Sequence, residues 1–353
     1  MGKTKLCEHC GMEIELADGE YFAGKFHCRR CLEELTIVCE DCGERIWRED
    51  SIEDRICQTC YDEDYCRCEC CGRLMHVDDA SYRDGYPYCD DCYDRNRHEF
   101  IEEYDYKPAP IFYGEGQPHY GVELEIDCGG EYDSSAEDFD GIANRKHPHL
   151  YFKHDGSLDD GIEIVSHPAT LDYHLHHIPW EAVMRRAREL KYLSHTARTC
   201  GLHIHINRAA LGETVEEQEN TIGRIVYFFE KFWDQILRFS RRTEGQANRW
   251  ASRYGCSTVN PKESMKDAKN SGLGRYTAVN LEPLFTVELR IFRGTLRYNT
   301  FVATLQFVDK LCRDAITMTD EEFQTMTWND FAASVKDMPE LTEYLATRGL
   351  GVA

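Results

Sequence analysis

The sequence predicts an α+β chain, with small cysteine-stapled modules followed by a curved antiparallel sheet that carries helices on its outer face. Three observations carry this prediction. The first 92 residues hold six C-x-x-C pairs in a threefold repeat. Later segments alternate aliphatic with charged or imidazole side chains at period two, the pattern of half-buried strands. Between them run segments with apolar residues at helical spacing, able to cover the aliphatic faces.

At 353 residues the chain has room for two or so domains and a sizeable core. The net charge of −23 argues against a protein that coats nucleic acid or binds a membrane surface. Phosphate binding on that scale needs clustered Lys and Arg. The sequence shows neither a secretory signal nor an apolar run long enough to span a bilayer. Of the 18 cysteines, twelve fall in the C-x-x-C pairs. That spacing indicates metal binding in a reducing, cytoplasmic setting, with a disulfide framework as the alternative.

The pairs group in fours: Cys7, Cys10, Cys28 and Cys31; Cys39, Cys42, Cys57 and Cys60; Cys68, Cys71, Cys89 and Cys92. The intervals between first and second pairs are 17, 14 and 17 residues. Each four can supply thiolates to one tetrahedral Zn2+, giving three structural zinc sites. Gly11, Gly43 and Gly72 follow each first pair and let the chain turn back. Y-F-A-G-K-F-H-C and Y-R-D-G-Y-P-Y-C read as hairpins leading into the second pair. The units, set at 1–36, 37–64 and 65–97, resemble treble-clef or LIM-like zinc modules. His27 competes with Cys28 as a ligand, and Cys66 or Cys70 with Cys68 and Cys71. The segment is acidic where DNA-binding fingers are basic, so it is expected to serve structure or to dock a protein partner. Residues 98–118 read as a linker broken by Pro108, Pro110, Gly114, Gly116 and Pro118, with the boundary near residue 110 and the second domain at 119–353.

In the second domain, residues 120–127 (Y-G-V-E-L-E-I-D) put Glu123 and Glu125 on one strand face and Val122, Leu124 and Ile126 on the other. Carboxylates that close repel unless cations sit between them, and Mg2+ suits such ligands. Residues 129–141 read as an acidic surface loop. Residues 149–153 and 161–167 read as strands around the D-G-S turn, with Glu163 opposite in direction to Ile162 and Ile164. Residues 178–193 form an amphipathic helix. Residues 201–208 (G-L-H-I-H-I-N-R) repeat the alternating design, with His203, His205 and Asn207 on the polar face. Residues 214–239 read as the longest helix and 241–274 as a polar loop. Residues 275–280 and 286–292 read as strands, the latter with Glu288 and Arg290 on its polar face. The tail from Tyr298 is helical, with further short helices after Thr319 and from Pro339.

The motifs G-V-E-L-E-I, D-G-S-L-D-D-G-I-E-I-V-S, C-G-L-H-I-H-I-N, G-R-Y-T-A-V-N-L and T-V-E-L-R-I-F-R-G together resemble the amidoligase family, in the superfamily of glutamine synthetase and gamma-glutamylcysteine synthetase. The resemblance covers roughly residues 119–315. It implies a glutamine-synthetase-like catalytic domain that joins a small-molecule or peptide carboxylate to an amine. ATP and two or three Mg2+ are the implied cofactors, an acyl phosphate the implied intermediate, and the cytoplasm of a bacterial or phage-infected cell the implied setting. By motif, Glu123, Glu125, Glu163, His203 and Glu288 resemble metal ligands. Arg290 resembles the arginine that meets the transferred phosphoryl group, with Arg275 and His205 as further phosphate contacts. Lys153, Asn207, Asn280 and Arg293 are weaker candidates, for nucleotide or substrate. Three other readings compete. One is a phosphotransferase of the guanidino-kinase type using Cys200 or Cys256. Another is a zinc-dependent adaptor with a decayed ligase domain. The last, a hydrolase using Cys200 and His203, is disfavoured because positions three apart on a strand face opposite ways.

Overall fold

The computed structural model describes residues 3–83, 85–95 and 100–352. They form two compact units, Met1–His98 and Glu99–Ala353. No helix among the described residues is long and apolar enough to cross a membrane.

In the first unit one pattern occurs three times. Strands Thr4–Leu6 and Glu13–Glu15 pair around the first cysteines, Gly19–Phe22 and Lys25–Cys28 form a hairpin, and helix Arg29–Leu35 follows. The second copy pairs Thr36–Val38 with Arg45–Trp47 and Ser51–Ile52 with Ile56–Cys57, then forms helix Gln58–Asp64. The third pairs Tyr65–Arg67 with Leu74–His76 and Ser81–Arg83 with Tyr86–Tyr88, then forms helix Asp90–Arg95. In each first turn a glycine N–H donates to the carbonyl of the leading cysteine, at 2.9, 3.0 and 2.8 Å for Gly11, Gly43 and Gly72. Their φ angles of 69, 75 and 71° are left-handed, which is why glycine stands there. Apolar cover is thin: Ile56 and Leu74 pack beside Cys39, Cys57 and Cys60.

In the second unit seven strands form one sheet: β1 (Ile101–Glu102), β2 (Tyr120–Ile126), β3 (Leu150–Lys153), β4 (Ile162–Ser166), β5 (Gly201–Asn207), β6 (Val279–Asn280) and β7 (Thr286–Arg293). Their order is β1-β3-β4-β2-β5-β7-β6. Neighbours run antiparallel except the parallel edge pair β1 and β3, so the sheet is mixed. The alternation sorts as expected. Val122, Leu124, Ile126, Ile162, Ile164, Leu202, Ile204, Ile206, Val287, Leu289 and Ile291 are fully buried in one core. A bulge between Leu202 and Ile204 places one extra residue on β7. It lets Phe292 join Ile291 inside, where its ring meets Phe239 and Phe307 at 5.9 and 6.1 Å.

Several expectations need correction. Residues 129–141 are not a loop, since Asp133–Ala143 is a helix whose buried face uses Ser135, Ala136, Phe139 and Ala143. Small residues on that face hid its period. The 214–239 segment breaks at Phe232 into Val215–Lys231 and Trp233–Ser240. The longest helix is instead the 20-residue Tyr298–Thr317, which buries Phe301, Leu305 and Phe307 among others. Asp309 on this helix takes the Tyr120 hydroxyl of β2 at 2.9 Å, so it lies against the aliphatic side of the sheet. The 241–274 segment holds two helices, Glu244–Trp250 and Pro261–Asn270. Thr243 with Gln246 forms a capping box, and Asn260 caps a helix with Pro in its first turn, both readable start signals. The strand expected from residue 275 begins only at Val279. The units divide at His98 rather than near residue 110, because β1 pairs with β3 and Ile101 is buried. An additional helix, Trp328–Ala333, has a Thr327 capping box.

Candidate functional site

In the first unit the four sulfurs of each group named from the sequence lie within 4.8 Å of one another. Zn–S bonds of about 2.3 Å in a tetrahedron place sulfurs about 3.8 Å apart. Cys10 and Cys28 stand at 4.0 Å, Cys42 and Cys57 at 3.9 Å, and Cys71 and Cys89 at 3.8 Å, so the residues fit zinc. Backbone N–H groups prepare thiolates: the Cys28 amide reaches Cys7 Sγ at 3.3 Å, and the Cys57 amide reaches Cys39 Sγ at 3.3 Å. Burial opposes ionisation of Cys7, but N–H donors from Cys10, Cys28 and His9 outweigh it and bring it to about 5. The same balance holds Cys39 and Cys68 near 6. His27, Cys66 and Cys70 stand outside the converging groups. The His27 ring instead meets Trp47 edge-on at 5.6 Å.

In the second unit the sheet register brings the acidic and imidazole groups together. Glu125 lies opposite Glu163, Glu123 opposite His203, and His205 opposite Glu288. His203 Nδ1 is 3.3 Å from Glu123 and 3.6 Å from Glu288, and its Nε2 is 3.7 Å from Glu125. His205 Nε2 lies 3.1 Å from Glu123 Oε1, close enough for an ion pair though off the line of a hydrogen bond. Lys153 Nζ is 3.4 Å from Glu163, and Arg290 bonds Glu288. Ligand atoms of Glu123, His203 and Glu288, and of Glu125, Glu163 and His203, lie within 4.8 Å of one another. Two potential cation sites therefore share His203. Glu125, Glu163, His203 and Glu288 are each 4–5 % exposed.

These carboxylates are crowded and largely buried. Burial, then the nearby Glu123 charge, pushes Glu163 well above the usual carboxylate range against the pull of Lys153. Burial also raises Glu125. Burial alone would raise Glu123, but His205 and His203 hold it well below that range. His205 is held up at about 8, because Glu123 and Glu288 overcome its burial. A divalent cation among such groups relieves both repulsion and desolvation, and carboxylate oxygens with imidazole are suitable donors for it.

The cluster floors a cavity of about 1510 Å³. Lys153, Glu163, His203, His205, Glu288, Arg290 and Arg275 line it along with Glu123 and Glu125. Arg275 is fixed at 2.9 Å from the hydroxyls of both Tyr104 and Tyr276. Asn207 and Arg293 are not brought to the cavity. Asn207 accepts from the His119 amide at 3.0 Å and donates to Gln117 at 3.3 Å. Arg293 donates to the Arg241 carbonyl at 3.5 Å. Neither Cys200 nor Cys256 lines the cavity, and burial raises the Cys200 thiol, which leaves it a poor nucleophile.

Sequence reasoning missed three contributors. Arg242, 7 % exposed, lines the cavity while its guanidinium donates to the Ile291 and Phe292 carbonyls at 3.0 and 3.3 Å. It follows a helix end and belongs to no strand pattern. Asp127 accepts from the amides of Cys128, Asp159 and Asp160 at 2.7, 3.2 and 2.8 Å, and from the Thr199 hydroxyl. It thereby fixes the D-G-S-L-D-D turn, whose Asp155, Gly156 and Ser157 face the cavity. Gly201 donates its N–H to Glu125, and a Cβ there would lie 2.5 Å from His203 Nε2 and 3.1 Å from Arg242 Nη2. Only glycine allows that approach. Asn280 does reach the cluster, donating to Glu288 at 2.8 Å.

A family model described as "Putative amidoligase enzyme" matches residues 138–312, just under half of the chain. The match includes Glu163, His203, His205, Glu288 and Arg290 and begins after Glu123 and Glu125. No curated protein matches. Among solved structures, the crystal structure of a bifunctional glutathione synthetase from Pasteurella multocida aligns with a TM-score of 0.38 and 13% identity. The alignment covers 65% of this chain and 46% of that one, so this chain spans less than half the length of that relative. A likeness that weak decides neither fold nor activity.

Proposed function

We propose that the second unit is an ATP-dependent carboxylate–amine ligase of the amidoligase family, with a glutamine-synthetase-like sheet. The observation that carries this reading is the convergence of Glu123, Glu125, Glu163, His203 and Glu288 on one cavity also lined by Arg290, Arg242 and Lys153. Acid and base are juxtaposed there as polyphosphate chemistry requires, and the family match over residues 138–312 supports the same chemistry.

In this reading, two or three Mg2+ held by those five residues would neutralise phosphate oxygens as a carboxylate attacks the γ-phosphorus of ATP. The attack forms a C–O–P bond and releases ADP. An amine then attacks the acyl carbon, phosphate leaves, and the amine's proton is lost to a base. The chain's own part is positioning. Arg290, anchored on Glu288, directs its remaining donors at the transferred phosphoryl group. His205, charged below about pH 8, supplies a second positive donor beside it. Arg275 and Lys153 extend the cationic margin, and Arg242 balances the charge of Glu125. Asn280 holds the Glu288 carboxylate in one orientation. The three zinc modules serve structure or protein docking.

The test is a mass-spectrometric search of carboxylate and amine pairs with ATP and Mg2+, reading ADP, phosphate and a product lighter than its parents by one water. Such a product, lost with Glu125→Ala and Glu288→Ala, is the expected outcome. ATP turnover that survives both substitutions unchanged would remove the reading.

A further inference from the structure

Next to Arg242 in sequence, and outside the lining of the acidic cavity, the chain collects positive charge. Arg241 Nη1 donates to His195 Nδ1 at 3.1 Å. Its Nη2 donates to the Arg293 carbonyl at 2.5 Å and the Gly294 carbonyl at 3.3 Å, and Arg293 returns a bond to the Arg241 carbonyl. Arg348 caps the Arg238 carbonyl at 3.0 and 2.8 Å, at the end of helix Trp233–Ser240. His195 senses the cluster: burial, then Arg241, Arg293, Arg297 and Arg348, bring its imidazole down to about 4. The Gly294 N–H donates to the Cys200 carbonyl at 3.1 Å and Gly201 of β5 lies opposite Arg293 of β7, which sets the chain around His195 and Arg198 against the chain from Arg293 to Arg297.

Among the described residues, none of Arg198, Arg241, Arg293, Arg297 and Arg348 has a carboxylate within 4.0 Å. In a chain of net charge −23 that is a local excess that the protein leaves uncompensated. The carbonyl bonds orient Arg241 and Arg348 but do not neutralise them, and no hydrogen bond from the side chains of Arg198 or Arg297 occurs among the described residues. His195 accepts from Arg241 through Nδ1, so its proton sits on Nε2 and is available to donate. Arg241 itself has φ 66°, a left-handed conformation uncommon for a residue with a side chain. That turn sends consecutive arginines to different places, Arg242 into the cavity and Arg241 into the basic cluster.

We propose that Arg198, Arg241, Arg293, Arg297 and Arg348, with His195, form a binding site for phosphate groups separate from the acidic cavity. Planar guanidinium forks pair with phosphate oxygens two bonds at a time, and several forks around one neutral N–H donor suit a multivalent oxyanion. Arg293, expected from sequence to meet a nucleotide in the active cavity, belongs to this second site. The phosphate groups can come from a small free anion or from a nucleic-acid backbone.

The experiment uses the zinc-loaded full chain with 15N-labelled histidine, without added Mg2+. It is titrated with inorganic pyrophosphate and, separately, with a short oligothymidylate at the same salt. Binding at the site should raise the His195 pKa and move its resonances, because an anion offsets the surrounding arginines. Arg198→Gln combined with Arg297→Gln, which breaks no internal hydrogen bond, should weaken binding about ten-fold or more. A response to pyrophosphate alone identifies a free anion. Tighter binding of oligothymidylate, with a steep salt dependence, identifies a nucleic-acid backbone. No response of His195 to either probe, shifts confined to His203 and His205, or unchanged affinity in the double variant would overturn the proposal.

Discussion

Each module of the first unit gathers four thiols and a handful of apolar side chains, while the second unit buries dozens of apolar residues in one contiguous core. In the first, the core is too small to stabilise strands of two to four residues, and the four thiols of each group stand where ligation of a metal would substitute for it. In the second, aliphatic faces of four strands pack beneath helices and leave the opposite faces free to collect charged groups. Chemistry that needs buried carboxylates can be supported only in the second kind of structure, because burying that charge draws on stability supplied elsewhere.

Removing zinc should break this contrast most visibly. Structural zinc contributes about 10–16 kcal/mol of apparent binding energy, so strong chelation under reducing conditions should unfold residues 3–95 outright. Trp47 fluorescence should report that loss, while the thermal transition of the second unit stays in place. One shared transition, abolished by chelator, would show that the two means of stabilisation are not independent.

The converse substitution is Ile204→Ala, at a fully buried site in β5, an interior strand of the sheet. It should lower the second unit's stability by about 2–5 kcal/mol in denaturant melts and leave zinc content unchanged. A loss below about 0.5 kcal/mol would mean the core does not carry that unit as described.

The same alternation made much of the second unit legible in advance. Residues 120–127, 201–208 and 286–292 alternate strictly, and the structure pairs them as neighbours in one sheet with Glu123, Glu125, His203 and Glu288 on one side. Arg242 was not legible, since its position depends on a helix end turning beneath β7. The helix Asp133–Ala143 was masked by its acidic surface, and Asn207 by a periodicity that carries it past the cavity edge to bind Gln117 and the His119 amide. In the first unit cysteine spacing alone identified each group of four. Geometry was needed only to separate Cys28 from His27, and Cys68 and Cys71 from Cys70.

A smaller, pH-dependent effect should also distinguish the units. His174 is completely buried, with Nε2 donating to the Tyr120 carbonyl at 2.8 Å and Nδ1 accepting from Trp180 at 3.2 Å. Burial lowers it from 6.5 to about 4. The unfolded chain therefore binds a proton first as pH falls, and stability contributed by neutral His174 is present above 6.5 and lost progressively toward 4. The full loss is about 3 kcal/mol, read from denaturant midpoints of the second unit. His174→Gln should flatten that slope; an unchanged slope would assign it to other groups.

The smallest expected effect is Gly43→Ala. Nothing lies within 4 Å of a Cβ at this position, so only its φ of 75° opposes the change. A cost of about 1 kcal/mol is expected, seen as a modest fall in the zinc concentration range over which the unit stays folded. Complete loss of zinc binding would indicate a tighter turn than the geometry describes.

The central claim is that Glu123, Glu125, Glu163, His203 and Glu288 form a nest for divalent cations. Mn2+ titration of the zinc-loaded chain in the presence of ATP, followed by electron paramagnetic resonance, tests it most directly. Saturable Mn2+ binding, sharply weakened by Glu125→Gln and by Glu288→Gln in proteins that keep the wild-type melting temperature, is the predicted result. Absence of saturable binding, or binding indifferent to both substitutions, would contradict it.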